Sequence, residues 1–302
     1  MSFCVAKIFK RQAVSIGVEL RAFSKFKAVL AEGPVYDHEL NRLFWVDIYG
    51  RKVITHDFNT EEEKFYDTPD VVTSLCVIDE KRIITTLRHG FYVLNMNSGK
   101  LYQIYELKND EKNRFNDGKC DIPGRYWAGT MNLNEADPEP TGSLYKFSNN
   151  NLTRMLDGLY LSNGLGWSPD NSVFYLIDTP LRQVFAFDFD KDKGEIFNKR
   201  VAVDFKDEPG RPDGMTVDEE GFLWIAHSGG GKVSRWNPNN GEKVFEIKLP
   251  VRDVSSVTFG GKEMNQLFIT TMSRSGESQA GMIFTAIANV RGLKSYRFKG
   301  SL

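Results

Sequence analysis

The chain has 302 residues, a formal net charge of −1, 41% hydrophobic and 26% charged residues, the proportions of a soluble globular protein that buries a full core. No basic stripe interleaved with aromatics runs through it, which argues against a nucleic-acid partner. Its apolar runs, such as Phe222 to Ala226, are strand-sized and too short to span a bilayer, so no membrane partner is expected.

Cysteine and histidine usage narrows the chemistry. Cys4, Cys76 and Cys120 are an odd set without CxxC spacing, as expected of reduced thiols in a reducing compartment. His38, His56, His89 and His227 form no HxxxH pattern, which argues against a histidine-built metal site. GxSxG and HExxH motifs are both absent, which weakens serine-hydrolase and zincin readings.

In chain order, the opening segment "MSFCVAKIFKRQAVSIGVELRAFSKFK" is mildly basic, with Glu19 as its one acid. It resembles a weak transit peptide but lacks serine and arginine density. The stretch "SIGVELRAF" alternates as a strand does, and the strand reading is preferred, leaving about residues 1–16 as an extension. Six similar units follow, starting at Gly33, Ser74, Gly118, Gly164, Gly214 and Ser256. In each, a short apolar strand leads to a polar turn, a β-branched and aromatic strand, a second turn and a third strand. No window sustains a 3.6-residue amphipathic period over a helical length, so helices should be few. A repeat of roughly 45 residues holding three or four strands is the pattern of a propeller blade. The expected fold is all-β: one six-bladed β-propeller domain over residues 1–302. The sixth unit has three convincing strands before "SYRF", so a strand from the N-terminal segment is expected to complete that blade and close the ring.

In a propeller the first strand of each blade lines the central channel. The residues just before the six unit starts are Glu32, Thr73, Asp117, Asn163, Asp213 and Ser255, all polar. Each Asp-Gly or Asn-Gly pair taken alone reads as a turn. Sixfold symmetry instead brings these positions to one axis, where carboxylates and amides need a cation or water to gather them. Oxygen donors of this kind suit Ca²⁺, Mg²⁺ or Mn²⁺, with Zn²⁺ a further candidate. A Glu-Asn-Asp trio leaves coordination positions open, so a cation there can polarise a carbonyl and acidify water, beside a carboxylate acting as general base. Arg114 lies three residues ahead of Asp117 and reads either as a substrate clamp or as a solvated loop arginine.

Five ordered stretches carry a resemblance: "AEGPVYDHELNRLFWVDI", "RFNDGKCDIPGRYWAGTM", "GSLYKF", "LSNGLGWSPDNSVFYLIDT" and "GRPDGMTVDEEGFLWIA". From about Val29 onward the chain resembles the senescence-marker-protein, gluconolactonase and luciferin-regenerating-enzyme family. The resemblance implies a six-bladed propeller with one divalent cation at the end of the channel, held by Glu32, Asn163 and Asp213. It implies Asp213 as general base and Arg114 and Asn116 as substrate contacts, with Asp117 beside them. It further implies hydrolysis of sugar lactones such as gluconolactone, in the cytoplasm, with calcium binding in some members. After "AGTM" many relatives carry an acid that touches sugar hydroxyls; here the run is "MNLNEADPEP", and either Asn134 or Glu135 is the inward residue. The rival readings are an organophosphate or other ester hydrolase on the same cation, and a calcium-binding propeller without catalysis.

Overall fold

The computed structural model describes residues 19–302. Its strands form six four-stranded antiparallel sheets, each running from an inner strand outward in sequence order, except the last. The six inner strands are Ala31–Asp37, Val72–Val77, Asn113–Cys120, Ser162–Trp167, Arg211–Val217 and Val254–Gly260. Adjacent inner strands pack around the ring, the sixth against the first, so the sheets are the blades of a closed six-bladed propeller.

Burial follows distance from the axis. Second strands such as Arg42–Asp47 (RLFWVD) and Val173–Asp178 (VFYLID) are packed on both faces, and their apolar residues run almost without interruption. Outer strands such as Glu62–Asp67 are mostly exposed, with half-buried residues at Glu63 and Tyr66, because they form the outer edge of the blade. The apolar side chains gather mainly between adjacent blades. Phe44, Val46, Leu75 and Ile83 fill the space between the first two blades, and Trp127, Leu144, Leu165 and Phe174 that between the third and fourth.

The expected closure is present. Arg21–Ala22 pairs antiparallel with Phe284–Ile287, Arg21 opposite Thr285 and Ala22 opposite Phe284, and supplies the outer strand of the sixth blade. The rest of the alternating "SIGVELRAF" stretch is not in strand where described, and residues 1–18, which hold the extension and Cys4, lie outside the described residues. "SYRF" adds no strand. Instead Phe298 N–H donates to the Val77 carbonyl at 2.8 Å and Lys299 N–H to that of Gly124 at 2.9 Å, which draws the C-terminal tail across the base of the ring. The mouth is the opposite end, where the inner strands begin. Among the described residues the one helical element is a 3₁₀ turn, Ser273–Ser275, and no helix is long and apolar enough to cross a membrane.

Candidate active site

Each inner strand breaks register at its mouth end. The shifts fall between Glu32 and Val35, Val72 and Ser74, Phe115 and Gly118, Ser162 and Leu165, Pro212 and Met215, and Val254 and Ser256. A bulge leaves a residue unpaired and re-aims its side chain. The four Glu-Gly, Asp-Gly and Asn-Gly pairs are therefore bulges at the axis and not hairpin turns. Their glycines also permit close approach of the next inner strand. A Cβ on Gly164 would stand 2.6 Å from Met215 N and 2.7 Å from the Asp213 carbonyl, and one on Gly214 would overlap Ser256 Oγ.

Of the six ring positions, four meet through their charges or amides. Glu32, Asp117, Asn163 and Asp213 are all buried, with exposures of 4 to 8%. Glu32 Oε2 accepts from Gly33 N–H at 2.8 Å and Asp117 Oδ1 from Gly118 N–H at 2.7 Å, so each carboxylate is pinned by the amide that follows it. Burial, reinforced by the negative charges of Asp213 and Asp117, pushes the Glu32 carboxyl well above its ordinary value. Burial also raises Asp117, against the pull of the Lys119 ammonium. Asp213 is pushed up to about 8, chiefly by burial, with Asp117 and Asp253 adding repulsion and the Asn163 amide opposing it. Thr73 and Ser255 take another course. Their hydroxyls bond to Thr86, and to Thr270 and the Ala31 carbonyl, tying strands together.

Asn163 is oriented by its neighbours. Its Nδ2 donates to Asp213 Oδ1 at 2.5 Å and to Thr179 Oγ1 at 3.1 Å, while Thr179 Oγ1 donates to the Pro212 carbonyl at 2.8 Å. With its nitrogen so engaged, the amide oxygen has no partner; Asp117 Oδ2 is the second buried ring oxygen left without one. Two unpartnered buried oxygens among three mutually repelling carboxyls form a hard-oxygen donor set, and a divalent cation fits it. Among the described residues no three His, Cys, Asp or Glu side chains form a metal-holding group by themselves; the unpartnered Asn163 amide oxygen is a further donor beside the carboxylates.

Arg114 is not a solvated loop residue. It lies in an inner strand, 5% exposed, and its guanidinium donates to the Phe115 carbonyl at 2.9 Å and to Asn116 Oδ1 at 2.8 Å. Asn116 Nδ2 donates to the Ser162 carbonyl at 2.9 Å, so the Arg114–Asn116 pair is braced against the fourth blade. On the mouth side Arg114 stands 3.7 Å from Glu135, whose carboxylate also accepts from the Tyr49 hydroxyl at 2.6 Å. Asn134 is exposed, and its backbone N–H bonds to Asn132 Oδ1. The acid that reaches Arg114 is thus Glu135. Sequence reasoning did not single out Tyr49 or Thr179, since both come from loops whose blade equivalents carry no matching residue. Asp121 belongs to a different function: fully buried, it binds Arg125 and the Trp127 indole at the base end of its blade.

Comparisons with known proteins bear on this arrangement. The sequence profile of the SMP-30/Gluconolactonase/LRE-like region matches residues 30–273. A putative sugar lactone lactonase, YvrE, of Bacillus subtilis is 33% identical over 287 residues, covering 91% of this chain and 97% of that relative. Regucalcin of Gallus gallus is 35% identical over 300 residues, covering 95% and 99%. The solved luciferin-regenerating enzyme superposes with a TM-score of 0.89 at 26% identity, covering 94% of this chain and all of that one. Profile, relatives and superposed fold agree over most of the chain, and the chain belongs to the SMP-30/gluconolactonase/LRE-like family.

Proposed function

We propose that the protein is a divalent-metal-dependent lactonase that opens sugar lactones of the gluconolactone type. The observation that carries this reading is the convergence of Glu32, Asn163 and Asp213 on one axis, with the Asn163 oxygen left unpartnered. The names of the relatives point the same way. Glu32, Asn163 and Asp213 would hold the cation, and oxygen donors alone favour Ca²⁺, Mg²⁺ or Mn²⁺ over softer metals. When bound, the cation supplies Lewis acidity toward a carbonyl oxygen and positive charge that favours ionised carboxylates beside it.

The protein's own groups do the rest. Arg114 and Asn116, with Asp117, Glu135 and Tyr49 near them, orient the ring hydroxyls from the mouth side; Asn134 stands next to Glu135 as a further contact. Asp213, steered by the Asn163 amide, accepts a proton from the attacking water. The water oxygen bonds to the lactone carbonyl carbon, and the ring C–O bond breaks with its electron pair remaining on the ring oxygen. The proton held by Asp213 then passes to that oxygen, giving the open hydroxy acid. The unpaired thiols Cys76 and Cys120 support a cytoplasmic setting.

The test is gluconolactone turnover measured above spontaneous hydrolysis. Asp213→Ala should lower kcat by about 10²- to 10⁴-fold, and EDTA should have a comparable, reversible effect. Rates unchanged by both treatments would sink the proposal. Faster turnover of phosphotriesters or simple esters than of any lactone would favour the ester-hydrolase rival, and calcium binding without turnover of any of them the non-enzymatic one.

A further inference from the structure

Lys119 lies just below the ring, two residues beyond Asp117 on the third inner strand, and no step of the proposed reaction uses it. Its ammonium donates to the Met215 carbonyl on the fifth inner strand, two residues beyond Asp213. One side chain therefore reaches past the fourth blade and links the strand of Asp117 to that of Asp213. Beneath it lies a cavity of about 70 Å³, partly open to solvent, whose lining includes Val35, Trp167, Thr216, Thr258 and Tyr296. Lys119 forms part of that lining, so it stands between the ring and the lower chamber. Burial disfavours its charged form, while Asp117, Cys76 and Glu32 favour it. Arg114 acts on Glu32 from the mouth side.

We infer that Lys119 is a positioning residue: a resident counter-charge that holds the carboxylates of the ring together when no divalent cation is bound and opposes the cation when one is. The inference rests on the reading of the ring as a cation site. Three buried carboxylates close to one another repel, and a fixed ammonium offsets part of that repulsion. The same charge repels an incoming divalent ion, so it weakens affinity and keeps the empty ring folded.

The experiment is calcium titration by calorimetry, with thermal unfolding measured in EDTA and in calcium. Lys119→Met and Lys119→Gln remove the charge at two polarities, and Lys119→Arg keeps it. Both neutral variants should bind calcium about tenfold more tightly than the parent. They should melt lower in EDTA and regain most of the loss in calcium. Lys119→Arg should bind within about threefold of the parent. Unchanged or weaker calcium affinity in both neutral variants would overturn the inference, as would a melting loss of equal size with and without calcium, the signature of lost packing alone. A parent protein that binds no divalent cation at millimolar concentration would defeat the ring reading, and the inference with it. Neither readout depends on lactone turnover, so loss of the lactonase proposal alone leaves this test intact.

Discussion

At the scale of single residues, the site depends on how side chains are oriented as much as on which are present. Asn163 offers its oxygen to the axis because Thr179 and Asp213 occupy its nitrogen. An amide without that restraint has two nearly equivalent orientations, one of which turns a donor toward the ring. Thr179→Val should therefore lower divalent-cation affinity about tenfold or more, read by calorimetric titration. A variant that binds as tightly as the parent would show that Asp213 alone fixes the amide. The same logic explains the crowded polar stretch at Arg114 to Asp121. Arg114, Asn116, Asp117 and Lys119 serve the channel, whereas Asp121 serves the blade through Arg125 and Trp127.

At the scale of elements, the inner strand with its bulge is the device that each blade repeats. It places one polar residue at the axis and follows it, in four blades, with a glycine. At Gly164 the reason is contact: the backbone of the fifth inner strand leaves no room for a methyl group. Gly164→Ala must push two inner strands apart, at a cost of about 1–3 kcal/mol. Because Asn163 and Asp213 lie on those two strands, the variant should also lose cation affinity. Denaturant unfolding and calcium titration together check this; an unchanged midpoint would mean that the strands yield without cost. The dipeptides looked like turns because a turn and a bulge ask the same things of a sequence: a short polar residue beside a residue without Cβ.

At the scale of the whole molecule, the ring is held shut at two places far apart in sequence. Arg21–Ala22 completes the sixth blade, and the C-terminal tail crosses the base, where Arg297 binds Asp37 of the first inner strand through two hydrogen bonds of 2.6 Å. Burial opposes ionisation of Asp37, but the Arg297 guanidinium and the Leu40 backbone N–H together outweigh it and hold the carboxyl below its ordinary value. A carboxyl depressed on folding adds stability above its unfolded pKa of about 3.9, and that stability is lost as pH falls through the lower folded value. Arg297→Met should therefore be less stable than the parent at pH 7, with the gap narrowing below about pH 4. Chemical denaturation at pH 7 and pH 3 measures both gaps, and equal gaps would assign the contribution to packing of the arginine stem.

The sequence by itself determined the number of blades, the order of strands within them and the polar residue that each inner strand carries to the axis. These follow from local periodicity, turn chemistry and a repeat of nearly constant length, and each is written within a few dozen residues. The closing role of the N-terminal strand was legible for a related reason: one unit was a strand short. Only the tertiary structure decided which of the six polar residues face one another, that Glu135 and not Asn134 meets Arg114, and that Lys119 crosses beneath the ring to Met215. Those facts depend on the angles between blades and on the loops at the mouth. Contacts between residues 50 or 96 positions apart, such as Asn163 with Asp213 and Lys119 with Met215, leave no local periodicity in the chain. Closure of the ring creates them.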